Sequence, residues 1–370
     1  MDINITAPIN QLGYGIVGLN ITLAFERLGH TPALWFLGNV EAPIQCHDTL
    51  RAIVQRTAFY NPKAPSLRIW HQFDLAQHVG RGPHCAYPFF ELTRLKKAEV
   101  HHLAAQDIVF APCHWAGEVM VANGVPEDRV RYAPPGVDQS IFRPVEHVEP
   151  GTTTFVNIGK WEVRKGHDIL IEAFEKAFTP TDNVRLVMNC FNPCFRTKEE
   201  LERYNDQWVS LYKNSRLGDK VFVYEQRLPT QRDVALLMAS ADCGVFPSRA
   251  EGWNLEAAEM LAMGKHVILT NYSGHTEFAN ESNARLIHID RLEDAHDGVW
   301  FDAKSPHWDG KPGHWAELGE RQVDQLVEHM RSIHRLKQEG QLKVNTAGIE
   351  TMKRFTWENT AAKMVAVFEG

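Results

Sequence analysis

Phe246-Pro247-Ser248-Arg249-Ala250-Glu251-Gly252-Trp253-Asn254-Leu255-Glu256-Ala257-Ala258-Glu259 runs from the end of an apolar strand, through a turn, into a helix. Cys243–Phe246 is the strand, Leu255–Met263 the helix, and Val267–Thr270 the next buried strand. Strand, turn, helix, strand is the repeating unit of a parallel α/β sheet. Glu251 precedes the helix and Glu259 lies a little over one turn inside it, so both carboxylates stand near the helix N-terminus. Main-chain N–H groups there carry partial positive charge suited to a phosphate. The turn Gly252-Trp253-Asn254-Leu255 is therefore counted with a ligand site, and the two acids are suited to accept hydrogen bonds from sugar or ribose hydroxyls. Glu256 reads as a solvated helix face.

The same alternation extends upstream. Thr153–Ile158 is predicted as a strand and Asp168–Phe178 as a helix, followed by strand Arg185–Cys190 and helix Lys198–Asn214. Val221–Tyr224 and Asp233–Ser240 continue it. Between the first strand and helix lies Asn157-Ile158-Gly159-Lys160-Trp161-Glu162-Val163-Arg164-Lys165-Gly166-His167. Such a loop leaves the carboxyl edge of the sheet, where open α/β sheets bind ligands. Lys160, Arg164 and Lys165 are placed there to neutralise a diphosphate. Asn271-Tyr272-Ser273-Gly274-His275-Thr276-Glu277 follows a buried strand and falls on the same edge, either as part of the site or as a plain turn.

A second α/β series fills the N-terminal part, with strands at Asp2–Ala7, Ala33–Leu37, Leu67–Trp70 and Ile108–Ala111 and a helix over Gly15–Leu28. Gly13, Gly15 and Gly18 spell G-x-G-x-x-G, but Pro8–Leu12 separates them from the strand, and the second strand ends Trp35-Phe36-Leu37-Gly38-Asn39 without the ribose-binding acid. A nicotinamide or flavin site is disfavoured on both counts. The glycines are read instead as a turn whose backbone closely approaches an anion or sugar, or as a tight turn with no ligand. The Pro- and Gly-rich stretch around 133–144 and the polar EHVEPGTT after it mark a boundary. Residues 1–147 and 148–352 are taken as two domains, and 353–370 as a closing helix with Ala361, Met364, Val365 and Phe368 on one face.

A net charge of −7 with no long basic run argues against stable nucleic-acid binding. No signal sequence and no bilayer-length apolar run is seen, so a cytoplasmic protein is expected, with peripheral membrane contact left open. The cysteines are scattered, and Cys190 and Cys194 have no second pair at zinc spacing, so free thiols and no metal are expected.

Taken together, these segments resemble the retaining glycosyltransferases of the GT-B fold, family 4 type, over nearly the whole chain. PSRAEGWNLEAAEMLAMGKHVI looks like that family's E-x7-E region, with Glu251 and Glu259 as its acids. NIGKWEVRKGHDILIEAF looks like its phosphate-binding turn, Lys165 matching the family lysine and Lys160 standing where many members have arginine. APPGVDQSIFRP is similar to the interdomain segment, with Pro135 in place of an asparagine, and Ser273-Gly274 replaces a common Gly-Gly.

The resemblance implies two Rossmann-like domains facing a cleft, with the last helix crossing back to the N-terminal domain. It implies a nucleotide-sugar donor, GDP- or UDP-linked, and a glycan, lipid-linked glycan or other hydroxyl acceptor, with no cofactor. Glu251 would touch the donor sugar, Glu259 the ribose, and Lys160 or Arg164 with Lys165 the diphosphate. Gly13 and Gly15 would line the site from the other domain, and His71 falls where relatives carry a histidine near the reacting sugar. Front-face displacement, with the leaving diphosphate helping to deprotonate the acceptor, is the expected mechanism. The rivals are a silent nucleotide-sugar binder and a GT-B epimerase or inverting transferase.

Overall fold

A computed structural model describes residues 1–224, 226–301 and 308–370. The chain divides into two compact units, Met1–Asp138 with Arg354–Gly370, and Gln139–Lys353.

The first unit contains β1 (Asp2–Ala7), α1 (Gly13–Arg27), β2 (Thr31–Phe36), α2 (His47–Gln55), β3 (Ser66–Arg68), β4 (His84–Ala86), α3 (Lys97–Ala104), β5 (Ile108–Ala111), α4 (His114–Ala122) and β6 (Val130–Tyr132). Its strands form one parallel sheet in the order β2-β1-β3-β4-β5-β6. β1 is buried along nearly its whole length, as a strand covered on both faces must be.

The second unit contains β7 (Thr153–Gly159), α5 (His167–Ala177), β8 (Val184–Cys190), α6 (Lys198–Lys213), β9 (Val221–Val223), α7 (Gln231–Ser240), β10 (Cys243–Phe246), α8 (Leu255–Ala262), β11 (His266–Thr270), β12 (Arg285–Ile287), β13 (Leu292–Asp294), β14 (His314–Ala316), α9 (Glu320–Gln338) and α10 (Thr346–Met352). The parallel sheet here runs β12-β11-β10-β7-β8-β9, and β13 pairs antiparallel with β14 as a separate ribbon. Phe155, Leu186 and Val245 from the sheet meet Leu170 and Phe174 of α5 and Leu326 and Met330 of α9 in its core.

The last helix, α11 (Trp357–Glu369), belongs to the first unit. Glu358 pairs with Arg27 of α1 at 2.6 Å, Phe368 meets Phe110 edge-on, and the Thr360 hydroxyl donates to Pro134 O at 2.6 Å. Gly136 is needed beneath it, because a Cβ there would stand 2.2 Å from Trp357 N. The boundary expected at 147 lies earlier. Residues 139–147 go with the second unit because Val145 N bonds Met263 O at 3.0 Å and the Gln139 amide bonds Met352 O at 3.2 Å.

Both sheets are doubly wound, and each has one place where the strand order reverses. In the first unit that point lies between β1 and β3; in the second it lies between β7 and β10. Crossovers lead away on opposite faces there, leaving a crevice at the carboxyl ends of the two strands.

Candidate functional site

The loops leaving the second sheet at its reversal are 160–166, after β7, and 247–254, after β10. They are fastened together by main chain. Arg249 N donates to Arg164 O at 2.7 Å, and the Arg249 guanidinium reaches Val163 O at 2.6 Å while gripping Asp168 through both nitrogens at 2.9 and 2.8 Å. Gly166 has φ +70°, and a Cβ there would stand 2.0 Å from Pro247 O, so only glycine allows the approach. Trp161, fully buried, stacks on Trp208 with centroids 6.0 Å apart and anchors the first loop.

Inside this frame the charges converge. The Glu251 side chain, 5% exposed, accepts from Lys165 Nζ at 2.7 Å, from Arg164 Nη1 at 2.8 Å and from the Ser248 hydroxyl at 2.8 Å. Arg164 also bonds Glu162 through Nε and Nη2 at 3.1 and 2.7 Å, and Ala250 O at 2.8 Å. Lys160 lies 3.0 Å from Glu162 and keeps 37% of its side chain exposed. Burial works to raise the Glu162 pKa, but Lys160, Arg164 and Lys165 overcome it and pull it down to about 2. The same contest, won by Arg164 and Lys165, holds Glu251 well below the usual carboxylate range. Burial works against the charge on Lys165, and Glu251 with Glu256 outweighs it, so its pKa rises.

The turn into α8 is shaped by its neighbour loop. Asn254 takes φ +88°, caps the helix by accepting from Ala257 N at 3.1 Å, and donates its amide to His275 Nε2 at 2.9 Å. That acceptor role follows from the proton on His275 Nδ1, which is donated to Thr270 O at 3.0 Å. Burial pushes the His275 pKa down to about 4, so the ring is neutral. The Ser273 hydroxyl accepts from Glu251 N at 2.8 Å and Gly274 N donates to Glu251 O at 2.9 Å. The segment 271–277 is thus a brace for Glu251. A Cβ on Gly274 would stand 2.7 Å from Trp253 N, which explains the one glycine retained there.

Three sequence readings change. Arg164, read from sequence as a diphosphate ligand, is a buried strut between Glu162 and Glu251 at 5% exposure, with Nε, Nη1 and Nη2 all hydrogen-bonded within the protein. Trp253 turns its ring inward, 5.0 Å from Phe278 and 2% exposed, leaving its main chain in the turn beside buried Gly252 and half-buried Leu255. Glu256 is not a solvated face: its Oε1 lies 3.8 Å from the point a Cβ on Gly159 would occupy, and Lys165 Nζ lies 3.9 Å from that same point. Glu259, 4% exposed, follows one turn along the same helix. Glu162, Ser248, Asp168 and Arg249 lie within the quoted segments but are not singled out there, since the partner of a buried hydrogen bond or ion pair leaves no spacing to read.

In the first unit, Gly13 opens α1 and is exposed, whereas Gly15 and Gly18 are buried inside the helix. A Cβ on Gly15 would stand 2.4 Å from Asn10 N, and one on Gly18 2.3 Å from Pro8 O. The close approach that requires these two glycines is therefore to the chain's own loop. Tyr14, between Gly13 and Gly15, meets His71 at 4.5 Å, and His71 also contacts Trp70 at 4.8 Å and stacks on Phe73 at 5.0 Å. The first turn of α1 and the segment after β3 thus come together at the reversal of this sheet.

A family model described as glycosyl transferases group 1 matches residues 152–298, the stretch holding Lys160 to Lys165, Glu251 to Glu259 and the 271–277 brace. Among solved structures, the chain is similar over its full length to sucrose-phosphate synthase from Thermosynechococcus elongatus (TM-score 0.69, 15% identity, 98% of that chain covered). It is likewise similar over its full length to Anabaena HepE, solved with UDP and glucose (0.68, 14%, 99%). The fold is GT-B, and residues 152–298 are similar to the glycosyl transferases group 1 family.

Curated relatives resemble the chain at lower coverage. A D-inositol 3-phosphate glycosyltransferase of Pseudarthrobacter chlorophenolicus is 27% identical over 198 residues, 51% of this chain and 44% of that protein. A GDP-mannose:cellobiosyl-diphosphopolyprenol alpha-mannosyltransferase of Xanthomonas campestris is 27% identical over 181 residues, 49% and 45% respectively. The match thus spans under half the length of each relative. Gly13, Gly15 and His71 lie outside the stretch that the family model matches. Among the described residues, no helix is long and apolar enough to cross a membrane.

Proposed function

We propose that this protein is a retaining glycosyltransferase of family 4 type that moves a hexosyl group from a GDP- or UDP-sugar to an acceptor hydroxyl in the cytoplasm. The observation that carries the reading is the pairing of Lys165 with Glu251 at the sheet reversal, beside the capped N-terminus of α8. There, the lysine and the helix amides receive a diphosphate. Glu251 takes a sugar hydroxyl and Glu259 the ribose. Lys160, with its side chain partly open to solvent, joins Lys165 on the phosphates, and Arg164 holds Glu251 from below, tied in turn to Glu162.

Bond breaking between the anomeric carbon and the diphosphate oxygen leaves positive charge on the sugar ring and negative charge on the leaving group. The lysines and the helix terminus stabilise that leaving group, so we propose that no divalent metal is required. In this reading Glu251 and Glu259 stand on one side of the donor, and the departing phosphate oxygen takes the acceptor proton on the same face, which retains configuration. Both donor classes stay in the proposal, because one relative's name carries GDP-mannose and one structural neighbour was solved with UDP and glucose.

A thermal-shift panel of GDP- and UDP-sugars tests the donor class, and NMR of the product's anomeric proton tests retention. Stabilisation by one donor class, retention, and turnover unaffected by EDTA are expected. Donor binding without turnover on any acceptor or on water would mark a silent binder instead, and an inverted product would overturn the mechanism.

A further inference from the structure

The donor reading uses Lys160, Lys165, Glu251 and Glu259 but leaves Glu256 unexplained. It is the second residue of α8, at the helix terminus to which the diphosphate is assigned. Its Oε1 and Lys165 Nζ flank the same point above Gly159, at 3.8 and 3.9 Å. Gly159 has φ +150°, so the chain keeps a side chain out of that position and leaves the end of β7 open beneath both groups. Nearby, Lys160, Arg164 and Lys165 are already matched by Glu162, Glu251 and Glu256, and Glu251 with Glu256 holds the proton on Lys165. An arriving diphosphate therefore meets a balanced site rather than a cationic one, with a carboxylate standing against its lysine.

We infer that Glu256 is a resident anion at the diphosphate position, neutralising Lys165 in the empty site and opposing the phosphates when nucleotide binds. This rests on the donor reading above and sharpens it. The residue weakens the hold on the nucleoside diphosphate product, which carries more charge than the donor, and so favours product release. The helix dipole and Lys165 still draw the phosphates in, while Glu256 sets how tightly they stay.

Calorimetric titration of UDP, GDP, uridine and guanosine into the wild type, Glu256→Gln and Glu256→Ala tests it. Removing one charge at this range is expected to tighten the nucleoside diphosphate that binds by about tenfold in both variants. Affinity for the bare nucleoside should not change, and the donor KM should fall with the diphosphate Kd. A diphosphate Kd that is unchanged or weaker in variants melting at the wild-type temperature overturns the inference. A gain confined to one variant also overturns it, since a charge effect must appear in both. If neither UDP nor GDP binds the wild type or the variants, the donor reading itself falls.

Discussion

The two sheet reversals are built on the same topology and lined with opposite chemistry. At β1 and β3 the prominent contacts are ring on ring: Tyr14, Trp70, His71 and Phe73 pack together, and the Tyr14 hydroxyl donates to Phe89 O at 3.0 Å while accepting from Phe89 N at 2.8 Å. At β7 and β10 they are ion pairs, with Glu162 and Glu251 bound by Lys160, Arg164 and Lys165. Strand order fixes where a ligand is received, and the loop side chains decide which ligand. A charged edge braced by main-chain bonds suits a diphosphate of constant chemistry. An aromatic edge suits the apolar faces of a sugar ring.

Substitutions can separate the two edges. The largest effect is expected at the charged one: Lys165→Ala and Glu259→Ala should each lower kcat/KM by about 10²–10³-fold, the range for losing a preorganised charge partner, with the fold intact. Near wild-type turnover in either would mean the edge is only structural. Arg164→Met removes the strut and leaves Glu162 and Glu251 buried with fewer partners, which should cost about 3–5 kcal/mol in chemical denaturation of the second unit.

Acid provides the next test. His275 is neutral when folded, its pKa moved from 6.5 to about 4, so its stabilisation is complete above about pH 6.5 and is lost as pH falls towards 4. Stability should drop by roughly 3 kcal/mol across that window, and His275→Gln should flatten the slope. In the other unit, Gly15→Ala forces a Cβ to within 2.4 Å of Asn10 N and should lower stability by about 1–3 kcal/mol, read as a fall in Tm. The smallest effect is expected at His71→Ala. It should reduce kcat about tenfold, the worth of one hydrogen bond to a reacting group, without changing the affinity for nucleoside diphosphate. A loss of nucleotide affinity there would erase the contrast between the edges.

Much of this was readable before any coordinates. Alternating apolar runs gave β1, β7, β8, β10 and β11 to within a residue or two, because parallel strands buried on both faces leave continuous apolar stretches. The E-x7-E spacing and the basic turn marked both loops of the charged edge. Direction was harder to read. Arg164 and Lys165 are adjacent in sequence and both reach Glu251, yet the first turns back under the loop to Glu162 and Ala250 O while the second also stands beside the Gly159 opening. Glu256 resembles any exposed helical acid until α8 is set against β7. α9 carries Val323, Leu326, Val327, Met330 and Ile333 as a helical stripe, but its mean polarity hides it among loops. α2, α3 and α4 span only eight or nine residues, little more than two turns each, so a helical period has little length in which to repeat.

The most direct test is calorimetric titration of UDP and GDP into the wild type and Lys165→Ala. Binding of one nucleotide to the wild type and a loss of at least tenfold in the variant is the result expected if the β7 and β10 loops receive a diphosphate. An equal Kd in the two proteins, or no binding to the wild type, would contradict that placement.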